Sequence, residues 1–432
     1  MNQPNTSKPK LFSTRLTAVI GLNWGDEGKG KLVDILASKS QFVARFGGGA
    51  NAGHTIVVKG QKVVLHQLPS GVLHPQTKNV IGNGCVVHLP TLIEEIEELE
   101  KIGVNLTDRL FISDRATILF DFHKELDGLS ESALGTKKIG TTKRGIGPAY
   151  ADRVNRRSLR MGDLANLETF AAKLRERLEE VNKVKGLPFK FDIEREITLY
   201  QDLAERLEGM ICDTSALLQE ALTDGKTVLA EGAQGSLLDI EFGTFPFVTS
   251  STTTAGNIFS GLGIPPQNFN SIGVAKAYTT RVGEGPFTTE LLNETGEKLR
   301  EVGAEFGATT GRPRRCGWMD LVATKYSAKL NGTTALNLTK LDVLNDFKEI
   351  QVCTKYSLDG EEIETLPATI EELERVEPIF ETLPGWQTDT SAVKNISELP
   401  ENAKAYIKFI EDYLKVPVNW VGVGVEREAM AS

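Results

Sequence analysis

Residues 21–31 read Gly21-Leu22-Asn23-Trp24-Gly25-Asp26-Glu27-Gly28-Lys29-Gly30-Lys31, with an apolar run at 16–22 leading in and a helical pattern at 29–38 leading out. A strand that turns through glycines into a helix gathers backbone N–H groups around one point, and the helix end adds positive potential there. The run from Gly25 to Gly30-Lys31 fills the register GxxxxGK, so the stretch reads as a phosphate cradle rather than a plain glycine-rich turn. Two features depart from the usual cradle. Leu32 stands where a Ser or Thr hydroxyl would hold magnesium, so a metal needs another ligand. Asp26 lies inside the cradle, where repulsion from a phosphate about 4 Å away would cost roughly 4 kcal/mol at an effective dielectric near 20. An acid so placed serves a purpose: it coordinates Mg²⁺, accepts a proton from a substrate beside the transferring phosphate, or does both.

Outward from this turn, 41–46 reads as a second strand, and strand, helix, strand implies a parallel sheet. Further strands are predicted at 227–230, 271–277, 334–338 and 418–423, and helices at 90–101, 167–184 and 402–414. The expected fold is α/β: a large, mostly parallel central sheet flanked by helices, a P-loop-like GTP-binding architecture with long active-site loops. Glycine-rich stretches at 47–53, 135–147, 232–243 and 303–317 supply those loops. With no Pro/Ser/Gly linker, 16–432 reads as a single domain, and 1–15, which lacks any acidic residue, as a flexible N-terminal tail.

Of the 432 residues 40% are apolar and 25% charged, the balance of a folded globular chain. A formal net charge of -9 argues against a nucleic-acid binder, while basic clusters at 137–143, 153–160 and 312–315 suit small anionic ligands. Cys85, Cys212, Cys316 and Cys353 form no CxxC pair, so neither a zinc ribbon nor a disulfide framework is encoded. No apolar run approaches the roughly 18 residues of a membrane span, and the first residues carry no signal-like apolar stretch; a cytoplasmic protein is expected.

Four other loops carry chemistry. Thr339-Lys340-Leu341-Asp342 follows an apolar strand and resembles the NKxD element of GTP-binding proteins. A carboxylate at Asp342 accepts from guanine N1–H and the exocyclic amine, which adenine cannot offer. Gly47-Gly48-Gly49-Ala50-Asn51-Ala52-Gly53-His54-Thr55 sets His54 after a flexible run with no side chains to block a ligand, and histidine is the usual acid near neutral pH. His66, His74, His88 and His123 have no such setting and read as structural or surface groups. Gly140-Thr141-Thr142-Lys143-Arg144-Gly145 suits a second phosphate, and Thr309-Thr310-Gly311-Arg312-Pro313-Arg314-Arg315 concentrates arginines that bind carboxylates in a bidentate way.

With GDEGKGK at 25–31, NAGHT at 51–55, IGTTKRGIGPAY at 139–150, EGAQG at 231–235, VTSS at 248–251, GATTGRPRRCGW at 307–318 and TKLD at 339–342, the chain resembles the adenylosuccinate synthetase family from residue 16 onward. The resemblance implies ligation of L-aspartate to IMP at the expense of GTP, with one Mg²⁺ per subunit held by Asp26 and the backbone of Gly53. It implies Asp26 as base and His54 as acid, with Lys29 and Gln234 as further catalytic positions. GTP contacts are implied at Gly25, Asp26, Glu27, Gly28, Lys29, Gly30, Lys31, Gly53, His54, Thr55, Arg314, Lys340, Leu341, Asp342, Gly422, Val423 and Gly424. IMP contacts are implied at Asp26, Glu27, Gly28, Lys29, Asn51, Ala52, Gly53, His54, Thr142, Gln234, Thr249 and Arg312, and an aspartate-binding loop at Ala308, Thr309, Thr310, Gly311, Arg312, Pro313 and Arg314. Arg156 is implied to reach the partner's IMP site in a homodimer. Gly422-Val423-Gly424 departs from the family's hydroxyl-bearing segment, which leaves only backbone contacts to the base there. A regulatory GTPase would hydrolyse GTP without IMP or aspartate, and an ATP-using ligase would leave Asp342 unpaired, so substrate omission separates these readings.

Overall fold

The sequence LTAVIG of strand β1 (Leu16–Gly21) is buried throughout, and its alternate residues serve opposite faces. Val19 packs with Leu32, Val33 and Leu36 of helix α1 (Lys29–Ala37). Ala18 and Ile20 pack the other way, with Leu218 and Leu222 near α2 (Thr214–Thr223) and Ile258 of α3 (Asn257–Leu262). Both faces are therefore covered by helices, the condition under which parallel strands become continuous apolar runs. This computed structural model describes residues 14–58, 61–307 and 311–432. Most of the proposed tail and the loop residues Ala308, Thr309 and Thr310 lie outside the described residues.

Nine more strands extend the sheet: β2 (Phe42–Arg45), β3 (Lys78–Ile81), β4 (Leu110–Ser113), β5 (Ile211–Cys212), β6 (Val228–Glu231), β7 (Asn270–Lys276), β8 (Ala335–Thr339), β9 (Val418–Gly422) and β10 (Met430–Ala431). Their order across the sheet is β10-β9-β8-β7-β1-β6-β2-β3-β4-β5. Every neighbouring pair is parallel except β9 with β10. The eight strands or helices expected along 16–46, 227–277 and 334–423 fall within a residue or two of their places, since long apolar runs bounded by turns are the clearest local signal. In such a sheet ligands collect beyond the carboxyl ends of the strands. The cradle follows β1, Ala50–His54 lies beyond β2, Gln234 follows β6, Lys340 follows β8 and Gly424 follows β9.

The run 47–53 differs from the expectation of a flexible loop. Its residues are buried or half-buried, and a Cβ on Gly49 would lie 2.7 Å from the Val86 carbonyl oxygen. Glycine is required there because the backbone packs against the protein, not because the segment must move. Among the described residues no helix is long and apolar enough to cross a membrane.

Candidate functional site

The cradle is built around a buried carboxylate. Glu27, 1% exposed, accepts from the backbone N–H of Asn23 at 3.0 Å and of Gly25 at 2.9 Å, and pairs with Lys29 Nζ at 2.7 Å. A Cβ on Gly235 would sit 2.5 Å from Glu27 Oε1, so the EGAQG turn must be glycine for the acid to fit. Asp26 is the opposite case. Its side chain remains 35% exposed at the cavity rim, and Arg314 Nε donates to its Oδ2 at 2.7 Å. The compensation that the sequence demands for an acid among phosphate-binding amides thus comes from an arginine 288 positions away.

Arg314 is itself anchored. Its Nη1 reaches Glu305 Oε2 at 2.6 Å, and Glu305, fully buried, also takes Lys276 Nζ at 2.9 Å, Lys340 Nζ at 3.3 Å and the Tyr278 hydroxyl. Burial alone would raise the Glu305 carboxyl, but the three cations around it hold it well below the usual carboxylate range. One buried acid therefore joins the arginine facing Asp26 to the lysine that precedes Asp342. Glu305 lies inside the glycine-rich stretch 303–317, but no residue-type or spacing argument singled it out.

Asp26, Gln234, Lys340 and Arg156 all hold the left-handed backbone, with φ between 54° and 61°. For a residue with a Cβ this costs roughly 1–2 kcal/mol, and its recurrence at these positions marks them as sites where geometry outweighs local stability. Gln234 Oε1 and Nε2 are buried with no hydrogen-bond partner among the described residues, and so is Asp342 Oδ1. Burial pushes the Asp342 carboxyl up, partly offset by Lys340 and Lys31. Lys31 does not point down the cradle; its Nζ bonds the carbonyls of Gly424 at 3.0 Å and Ala429 at 2.7 Å, and burial lowers it to about 8. Thr339 Oγ1 donates to the Glu27 carbonyl at 2.7 Å, so cradle, base loop and C-terminal segment are tied together.

These residues line a cavity of about 1100 Å³. It is bordered by residues 25–31 of the cradle, Asn51, Ala52, Gly53 and His54, Thr142, Gln234, Thr249, Arg312, Arg314, Lys340, Asp342, Gly422 and Gly424. Several anticipated residues are not on its wall. Leu341 and Val423 are fully buried core residues, so any part they play is through the backbone. Thr55 lies in the strand His54–Val58, and Gly311, at φ 64°, is exposed. Arg156 is exposed just beyond helix α4 (Ile146–Val154) and is not on the wall, although the neighbouring Arg157 is. The 140–145 loop is pinned by helix α5 (Asp121–Ala133): Glu131 accepts from Gly140 N at 2.6 Å and Asp127 from Gly145 N at 3.0 Å.

The cradle at 25–31, His54, then Gly140, Thr141 and Thr142, then Lys340 and Asp342 border this one cavity in that chain order. The sequence profile of the family described as Adenylosuccinate synthetase matches residues 18–431. The chain belongs to the adenylosuccinate synthetase family. An adenylosuccinate synthetase from Coprinopsis cinerea is 53% identical over 420 residues, covering 96% of this chain and 98% of that one. A chloroplastic adenylosuccinate synthetase from Chlamydomonas reinhardtii is 51% identical over 431 residues, covering 99% and 93%. The solved structure of fully ligated adenylosuccinate synthetase from Plasmodium falciparum superposes with a TM-score of 0.93 at 44% identity, covering 97% and 99%. The adenylosuccinate synthetase activity is accordingly this chain's: a ligase joining L-aspartate to IMP at the expense of GTP, within AMP biosynthesis.

Proposed function

We propose that Asp26 is the general base and His54 the general acid of this ligation. Asp26 takes the proton from N1 of IMP, O6 attacks the γ-phosphorus of GTP, and the bond from that phosphorus to the bridging oxygen breaks to release GDP. His54 holds a proton against the developing charge on the departing phosphate oxygen. In the second stage the aspartate amine attacks C6 of 6-phosphoryl-IMP and inorganic phosphate leaves. The observation carrying this reading is the seating of Asp26: a left-handed acid at the cavity rim, charge-balanced by Arg314. IMP binding would exchange that ion pair for contact with the purine. Lys29 and Gln234 complete the reacting centre, with the unpartnered amide of Gln234 available to IMP.

One Mg²⁺ per subunit fits the donor set. It would be held by the Asp26 carboxylate, the Gly53 backbone and substrate phosphates, an all-oxygen set that suits magnesium. When bound, it neutralises phosphate charge. GTP is read by Asp342, with Lys340, Leu341 and residues 422–424 shaping the base pocket and the cradle, Gly53, His54, Thr55 and Arg314 the phosphate and ribose end. IMP lies against Asn51, Ala52, Thr142, Thr249 and Arg312, aspartate against the loop from Ala308 to Arg312. The exposed Arg156 reaches the IMP site of the other protomer in a homodimer, in a single α/β domain located in the cytoplasm.

The test is adenylosuccinate formation followed by ultraviolet absorbance, with IMP, aspartate, GTP or Mg²⁺ omitted in turn. Product is expected only with all four; phosphate release from GTP alone would support a switch-type GTPase instead. His54→Asn should abolish most turnover while retaining GTP and IMP binding, and normal turnover would remove the acid role.

A further inference from the structure

His54 opens the strand His54–Val58, Glu231 ends β6, and Ser70 opens the 3-10 turn Ser70–Leu73, so three separate elements deliver their polar groups to one point. His54 Nδ1 contacts Glu231 Oε1. The same carboxylate accepts from Ser70 Oγ at 2.9 Å and Ser70 N at 2.8 Å. Glu231 and Ser70 are wholly buried and His54 is 8% exposed. Arg45, 1% exposed, stands opposite Glu231 in the β6–β2 register; its Nη1 bonds the His66 carbonyl, while Nε and Nη2 have no partner among the described residues.

We infer that Glu231 is a positioning residue for phosphoryl transfer: its carboxylate accepts the Nδ1 hydrogen of His54 and fixes the ring so that Nε2 serves the cavity. The inference rests on the reading of His54 as the acid. Its chemistry follows from the groups around the carboxylate. Burial would raise Glu231, but His54 and Arg45 outweigh it and hold the carboxyl below its ordinary value. The nearby Cys85 thiol is pushed up to about 11 by burial and adds no charge. An ionised carboxylate only accepts hydrogen bonds, so Nδ1 must be the donor, and Nε2 is the one ring nitrogen left for a substrate. Ser70 donates to Glu231 from both N and Oγ, which fixes the carboxylate's own orientation. The EGAQG motif contains this residue, but spacing alone does not reveal which histidine it meets 177 positions away.

Glu231→Gln keeps the shape and removes the charge. It should lower kcat on the order of 10²-fold and leave the KM for IMP and GTP within about threefold. An unchanged kcat would overturn the positioning role. Because a buried substitution can unfold the chain, ¹⁵N-histidine NMR on the unaltered protein provides an independent reading. His54, assigned by its loss in His54→Asn, should carry hydrogen on Nδ1 from pH 6 to 9; a neutral ring protonated on Nε2 alone would overturn the pairing. Ser70→Ala should lower kcat a few-fold in the same direction. Normal turnover in His54→Asn would defeat the acid reading itself, an outcome distinguishable from a bare Nδ1.

Discussion

The two ends of the nucleotide cavity treat their polar groups in opposite ways. At the reacting end every key charge already has a protein partner: Asp26 has Arg314, Lys29 has Glu27, and His54 has Glu231. At the base-reading end, Asp342 Oδ1 is buried without a partner among the described residues. Groups that move protons gain from a fixed orientation, which a standing hydrogen bond provides. Groups that recognise a substrate gain from being left unmatched, since a buried unmatched group costs about 1–3 kcal/mol that only the correct ligand recovers. Catalytic control and specificity are thus built from opposite treatments of the same kind of atom.

The largest effect should come from breaking the paired end. Asp26→Asn removes the proposed proton acceptor and is expected to lower kcat by about 10³-fold while leaving GTP and IMP binding, measured by calorimetry, within a few-fold. A variant that lost affinity but kept kcat would place Asp26 among the reading groups and collapse the contrast.

Altering the unpaired end should change choice rather than chemistry. Asp342→Asn is expected to lower kcat/KM for GTP on the order of 10²-fold and to raise use of XTP, whose O2 accepts from the new amide where guanine presents a donor. Because burial raises the Asp342 carboxyl, the KM for GTP should rise on acidification sooner than an ordinary carboxylate would allow, and this acid limb should vanish in the variant. An equal limb in both proteins would assign the titration elsewhere.

A third carboxyl sharpens the comparison by belonging to neither end. Asp320 is 1% exposed, caps the helix Leu321–Leu330 through Ala323 N at 2.9 Å and accepts from the Tyr356 hydroxyl at 2.6 Å. Burial pushes it up to about 6. Between the unfolded value near 4 and about 6 the folded chain therefore holds the extra proton, so stability falls as pH rises through that window, by an amount on the order of 3 kcal/mol. Asp320→Asn should flatten this slope in urea denaturation at pH 4.5 and 7 with kinetic constants unchanged; a changed KM would tie the residue to the site.

The core strands were legible because their signal is local: LTAVIG and its counterparts are apolar runs bounded by turns, and a parallel sheet covered on both faces requires them. The glycines and lysines at 25–31, His54 and the Lys340–Asp342 turn were singled out by residue type and spacing, and the structure brings 25–31, His54, Lys340 and Asp342 to the wall of one cavity. Flexibility of 47–53 was misread, since a glycine run looks the same whether it moves or packs, and only the 2.7 Å approach at Gly49 distinguishes them.

Sequence by itself determined the sheet, the strand-end loops and many of the residues that line the cavity, because those depend on short-range pattern and on what each side chain can chemically do. Tertiary structure alone decided their partners: Arg314 for Asp26 across 288 positions, Glu231 and Ser70 for His54, and Glu305 as the hub linking the reacting end to the base loop. A hydrogen bond reaches about 3 Å and is blind to chain separation, so which carboxylate meets which cation is settled only when the strands take their places in the sheet.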